Sequence, residues 1–188
     1  MMTVAILVLV GLLILLLWGY NTFARMRNIV RTAWSDIDVY LRRRADLIPN
    51  LVDVAKGYAG FERQVLQEVV EARASALQGE LPPRERASRE QVLETRVAKL
   101  IALAEEYPEL KASVHFANLQ SALSETENLI ANARRYYNAA VRDYNTLIES
   151  FPTNVIALMF GFKKAQFFAV DDEEARQRTP VKFSPLRT

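Results

Sequence analysis

Few residues in this chain belong to the usual catalytic or metal-binding types. Among 188 residues there is one histidine, His115, and no cysteine. Thiolate nucleophiles, disulfides, thiolate metal sites and lipid attachment through cysteine are therefore excluded. A zinc site would have only carboxylates to add to His115, a poor donor set for that ion. A helical di-iron centre needs a glutamate three residues before its histidine, and that position is Ala112. His115 thus reads as an ordinary surface or helix-start residue. Glu68 and Glu71 share a helix face, and Glu105 and Glu109 would do so only if a helix ran through Pro108. Acid–base work needs a carboxyl whose surroundings shift its pKa, and no such surroundings are visible, so both pairs read as solvated surface. No phosphate-cradling glycine loop, Walker lysine or nucleophile elbow occurs. The expectation is a protein that is not an enzyme, with no cofactor and no metal.

Three other clusters remain. Arg42-Arg43-Arg44 could meet phosphate, but Asp36, Asp38 and Asp46 flank it, and internal ion pairing is the preferred reading. The formal net charge is +2, from 24 basic and 22 acidic residues, which gives no whole-protein field for nucleic acid. The unit Arg-x-Tyr-Asn occurs twice, seven residues apart, as Arg135-Tyr136-Tyr137-Asn138 and Arg142-Asp143-Tyr144-Asn145. Heptad spacing puts like residues on one helix face and predicts a polar seam of Arg135, Tyr137, Asn138, Arg142, Tyr144 and Asn145. Its hydroxyls and amides should bond to neighbouring helices, because buried polar groups are normally satisfied; the rival reading is a ligand row. The third cluster is FPTNVIALMFGFKKAQFF, residues 151–168. Phe162, Lys163, Lys164, Phe167 and Phe168 either meet a bilayer interface, with lysines on anionic headgroups, or cap the open end of a bundle as core, the commoner fate of aromatic clusters.

The elements that would position these residues are helices. Residues 1–24 carry no charged side chain, and Val4 to Trp18 is almost wholly aliphatic. About 20 residues cross a ~30 Å hydrocarbon core, with Trp18 and Tyr20 at headgroup level. The absence of a basic n-region and of a small-residue cleavage site argues against a signal peptide. Arg25, Arg27 and Arg31 follow the span, so the positive-inside rule puts the N-terminus outside and the remainder in the cytoplasm of a single-pass cell-membrane protein.

Beyond the anchor (1–22), three- and four-residue apolar spacing predicts helices over about 23–47, 50–78, 88–107 and 113–151. Pro49 should break the first from the second. Gly57 and Gly60 fall inside the second, where their i, i+3 spacing suggests close helix approach. Ser88 and Gln91 have capping-box spacing for the third. The fourth carries a five-heptad stripe from Phe116 through Leu123, Thr126, Ile130, Tyr137 and Tyr144 to Phe151, and should be long and straight. The fold class expected is all-α, an N-terminal transmembrane helix continuing into an up-and-down four-helix bundle (23–151), with an aromatic and basic tail (152–188). That topology would return residues 79–87, with Arg84, Arg86 and Arg89, and the tail to the membrane end.

Taken together, Tyr20-Asn21, RNIVRTAWSDIDVYLRRRADLIPNLVDVAKGYAGFE (27–62), YPELKAS (107–113), NARRYYNAAVRDYNTLIESFPTNVIALMFGFKKAQFF (132–168) and PVKF (180–183) resemble the LemA family of bacterial and archaeal proteins over nearly the whole chain. LIPNLV and the doubled Tyr-Asn unit are the most specific parts. The resemblance implies a single-pass plasma-membrane protein with a mostly cytoplasmic helical bundle, no established enzymatic activity and no catalytic residues to carry over. One departure is Phe61, where relatives commonly have histidine.

Three functions compete. The leading one is a membrane-tethered interaction or scaffold protein whose partners are the lipid bilayer and a membrane or cytoplasmic protein. The second is membrane organisation through self-association, as a homo-oligomer, with residues 151–168 on lipid. The third, an enzyme using Tyr137, Asn138, Tyr144 and Asn145 as a pocket, lacks nucleophiles and tuned acids.

Overall fold

The computed structural model describes residues 1–169. They form α1 (Met2–Lys56), α2 (Arg63–Ala76), α3 (Pro83–Ala104), α4 (Pro108–Lys111), α5 (Val114–Glu149) and α6 (Thr153–Phe160), with no strand among the described residues. The chain is all-α and bundle-like. PVKF and the acidic stretch after Val170 lie outside the described residues.

α1 and α5 form the long axis of the fold. They run antiparallel: Phe23 meets Tyr144, Trp34 meets Tyr137, and Arg43 reaches Glu125. The α5 stripe is buried from Phe116 to Tyr144, and Thr126 satisfies its hydroxyl on the Ala122 carbonyl at 2.7 Å. Phe151, expected as the last residue of the stripe, is exposed instead, because the helix has already ended at Glu149. The N-cap is Ser113, whose hydroxyl accepts from the Phe116 N–H, one of the donors that has no partner within the helix.

Pro49 does not break the helix. α1 runs through it to Lys56. A proline at this position frees the carbonyl four residues back, which is Ala45, and Arg73 of α2 donates its Nε–H to that oxygen at 2.6 Å. The break falls instead at Gly57–Glu62, with Gly60 at φ +85°, a conformation that suits glycine. The two glycines therefore end α1 and do not mediate close helix packing. Phe61 is buried against Tyr107, whose hydroxyl donates to the Gly60 carbonyl at 2.8 Å. α3 starts earlier than its capping-box spacing suggested, at Pro83, a favoured first-turn residue whose missing N–H costs no bond there. Pro108 likewise opens the short α4.

α2 and α3 pack as a hairpin on the far half of α1, through Val65, Val69, Ala72, Leu93, Val97 and Leu100 against Ile48, Leu51 and Ala55. The fourteen residues of α2 span only ~21 Å, so the turn after it reaches back only to the level of Trp34 and Asp38, which line a hollow with Gly79, Glu80 and Leu81. The 79–87 loop is thus ~21 Å short of Tyr20, and does not reach the apolar end of α1. α6 and the extended residues 161–168 provide the third layer on the other half, nearer the apolar end, with Ile156, Ala157, Phe162 and Phe168 against Phe23, Ala33, Trp34, Tyr137 and Tyr144. α1 itself passes residue 22 without interruption, and its first twenty residues, long and apolar enough to cross a membrane, are almost wholly exposed.

Candidate functional site

The doubled Tyr-Asn unit holds the tail. Asn145 donates through Nδ2 to the Ala165 carbonyl at 3.0 Å, and its Oδ1 accepts from the Ala165 N–H at 2.9 Å. Asn138 does the same one heptad earlier with Phe168, at 3.1 and 2.9 Å. Between them the Tyr137 hydroxyl donates to the Gln166 carbonyl at 2.8 Å. The spacing explains the repeat. Seven helical residues advance ~10.5 Å, and three extended residues advance ~10 Å. Each amide therefore meets a backbone N–H and C=O three residues apart in the segment lying antiparallel to α5.

These bonds go to backbone of the tail, where neighbouring helices were expected. Tyr144 packs edge-on to Phe23. Burial pushes the Tyr137 hydroxyl up to about 12. It also raises that of Tyr144, with Arg27 and Arg31 opposing. Arg135 and Arg142 are not part of the seam: both are exposed, Arg135 bonded to Asn132 and Arg142 beside Asp143 at 3.6 Å. Because the polar atoms of Tyr137, Asn138 and Asn145 are engaged by residues 165–168, the row is not an open ligand pocket.

The tail residues divide. Phe168 is buried against Trp34, and Phe162 stacks on Phe23 at 4.8 Å with the Arg27 guanidinium 5.5 Å from its ring. Phe168 belongs to the core and is not presented to lipid in this arrangement, whereas Phe162 is half-buried at the edge of that core. Lys163, Lys164 and Phe167 are exposed, and Lys164 pairs with Glu149.

A buried ionic cluster lies toward the C-terminal end of α1. Arg44 is 1% exposed. It binds Glu90 on α3 and, at 2.7 Å, Glu127 on α5, while Arg86 donates to Glu90 at 2.8 Å. Burial opposes its charge, but the two carboxylates outweigh burial and its pKa is raised. The other two arginines of the triplet are also paired, Arg42 with Asp38 and Arg43 with Glu125. The core role of Arg44 was missed in sequence. The available signal was register, since position 44 falls three after Leu41 and four before Ile48 on the apolar stripe.

The carboxylates that share a helix face in sequence are engaged by neighbouring side chains. Glu68 is tied to Lys99 and Arg96 and its pKa is lowered, mainly by the Lys99 hydrogen bond. Glu71 accepts from Gln67. His115 is exposed in the first turn of α5. Among the described residues no three His, Asp or Glu side chains group to hold a metal. A hollow of about 730 Å³ at the α2–α3 turn is lined by Trp34, Asp38, Arg42 and Asp46, of which Asp38 and Arg42 pair with each other.

The LemA family model matches residues 33–183, which include the buried arginine, the clamp and the tail. This chain belongs to the LemA family. It is similar to magnetosome protein MamQ 2 of Paramagnetospirillum magneticum, 25% identical over 96% of this chain and 75% of that protein. MamQ of Magnetospirillum gryphiswaldense is 23% identical with the same coverage. Protein LemA of Metamycoplasma hominis is 25% identical over 89% of this chain and 75% of its own. None of these names states an activity.

Proposed function

We propose that this LemA-family chain is a non-enzymatic, membrane-tethered helical platform that holds a protein partner at the cytoplasmic face of the cell membrane. One observation carries the reading: α1 is a single helix whose first twenty residues are apolar and exposed, while its remainder is the spine of the folded part. A simple tether would end where the domain begins. Here the same helix would cross the bilayer and be packed into the core, so the platform is held at a set height and angle. Arg25, Arg27 and Arg31 directly after the apolar run support a cytoplasmic platform and an outward N-terminus.

The test is in-membrane crosslinking followed by pull-down of the full chain. Recovery of one distinct protein in reproducible stoichiometry supports the platform reading. Recovery of self-crosslinks alone replaces it with self-assembly on the membrane. Orientation is tested separately by a single cysteine at Val70: protection from a membrane-impermeant maleimide in intact cells is the expected result, and labelling there reverses the topology.

A further inference from the structure

Outside α1, exposed large apolar residues gather in one place. Phe151, Val155, Leu158, Met159 and Phe160 are all exposed around α6, Leu158 at 85%. Val155, Leu158 and Met159 stand at i, i+3 and i+4, on one face. The opposite face is packed: Thr153, Ile156 and Ala157 are buried. No charged residue occurs from Phe151 to Phe162. The outer side of a helix bathed in water usually carries charge, and this one carries none.

The seat of α6 on α1 is close. Gly19 is buried beneath Ile156, and a Cβ at that position would overlap the Ile156 Cδ1. Tyr20 packs on Phe160 with ring centroids 5.1 Å apart. The eighteen residues from Met2 to Gly19 span ~27 Å as helix, about one hydrocarbon thickness. α6 is therefore seated at the level where α1 would leave a bilayer.

Its backbone is prepared for that level. The Thr153 hydroxyl donates to the Leu147 carbonyl at 2.6 Å, at the C-terminus of α5. Gly161 turns left-handed at φ +69°, which lets the Phe162 N–H reach the Ala157 carbonyl at 2.9 Å. Such closure matters where water is scarce. Cations follow the apolar block, as they do on α1: Lys163 and Lys164 after α6, Arg25 and Arg27 after the anchor.

We propose that α6 is a second lipid-embedded element. It lies in the boundary of the leaflet from which α1 emerges, with Phe151, Val155, Leu158 and Met159 among acyl chains and Lys163 at the phosphates. The occupant of the exposed face is lipid because that face continues the apolar surface of α1 and is bordered by cations. The assignment rests on the reading that α1 spans a bilayer, and the test separates the two.

The chain has no cysteine, so single substitutions V155C, L158C and M159C can each carry a unique nitroxide in the full chain reconstituted in phosphatidylcholine–phosphatidylglycerol vesicles. L9C reports the anchor and V70C reports water. Collision with oxygen relative to a water-soluble nickel chelate should be several-fold higher at 155, 158 and 159 than at 70, and should resemble that at 9. If 9 is in lipid while 158 and 159 match 70, the α6 assignment is overturned and the anchor stands. If 158 is shielded from both reagents, or shows spin–spin broadening between copies, protein covers the face and the assignment is also overturned. If 9 is itself in water, both readings fall.

Discussion

The two asparagine clamps make a quantitative prediction about local opening. Asn145→Ala removes the hydrogen bonds to both the N–H and the C=O of Ala165. At about 1 kcal/mol net for each bond, the segment near Ala165 loses ~2 kcal/mol of protection. Every 1.4 kcal/mol is a factor of ten, so the Ala165 amide should exchange with solvent deuterium about 30-fold faster. Phe168 should respond less, because Asn138 still holds it and its own buried ring adds about 2 kcal/mol. Asn138→Ala should invert that order. In the double variant each amide should show about the 30-fold of its own clamp, and acceleration well beyond that would measure coupling between the two openings. Asn132→Ala, at an exposed asparagine bonded to Arg135, is the control. Hydrogen exchange on the full chain in nanodiscs, resolved at residues 162–169, is the assay. Acceleration of less than about threefold at Ala165, or equal acceleration along all of α5, would show that the amides do not hold the tail locally.

Three further outcomes are expected. Tyr137 stays protonated to about pH 12 in the fold, against ~10 for a free tyrosine, so its contribution is complete below pH 10 and is lost as pH rises through 12; Tyr137→Phe should flatten the fall in stability across pH 10–12, read by denaturant titration. Arg73→Met leaves the Ala45 carbonyl unpaired and should cost about 1–3 kcal/mol, but clearly less in a Pro49→Ala background, where residue 49 regains an N–H for that oxygen; a double-mutant cycle by chemical denaturation measures the difference. Glu90→Ala strips the buried Arg44 of one carboxylate and should destabilise by about 3–5 kcal/mol, whereas Glu125→Ala, removing an exposed partner of Arg43, should stay within about 1 kcal/mol. Equal effects at the two positions would contradict the burial argument.

Helix type and the long stripe of α5 were legible because three- and four-residue spacing over five heptads has no strand-like alternative. The end of α1 was misplaced because the local cost of Pro49 is visible in sequence, while its remedy, Arg73, is 28 residues away. The same limit hid the purpose of Asn138 and Asn145. Their heptad repeat announced a common face, but an extended partner at three-residue intervals is a tertiary match with no periodic trace of its own. Arg135 and Arg142 were grouped with them by motif, although one helical step of about 100° separates successive residues and turns these two outward. Phe162 and Phe168 were legible as aromatic mass, and the turn at Gly161 decided which side they faced.

An unbroken α1 also behaves as a lever. From Tyr20 to Lys56 it extends ~55 Å beyond the apolar segment, and Arg73 stiffens it at the one residue where a helix commonly bends. A transmembrane helix answers a change in bilayer thickness by tilting. If the crossing segment tilted by about 10°, the Lys56 end would swing by ~10 Å. Thinner or thicker membranes would then move the far tip of the protein laterally without altering its internal contacts. The orientation of spin labels fixed on α1 before and after Pro49, measured in aligned bilayers of different chain length, should turn by the same angle on both sides, and a helix hinged at Pro49 would let the two sides turn by different angles.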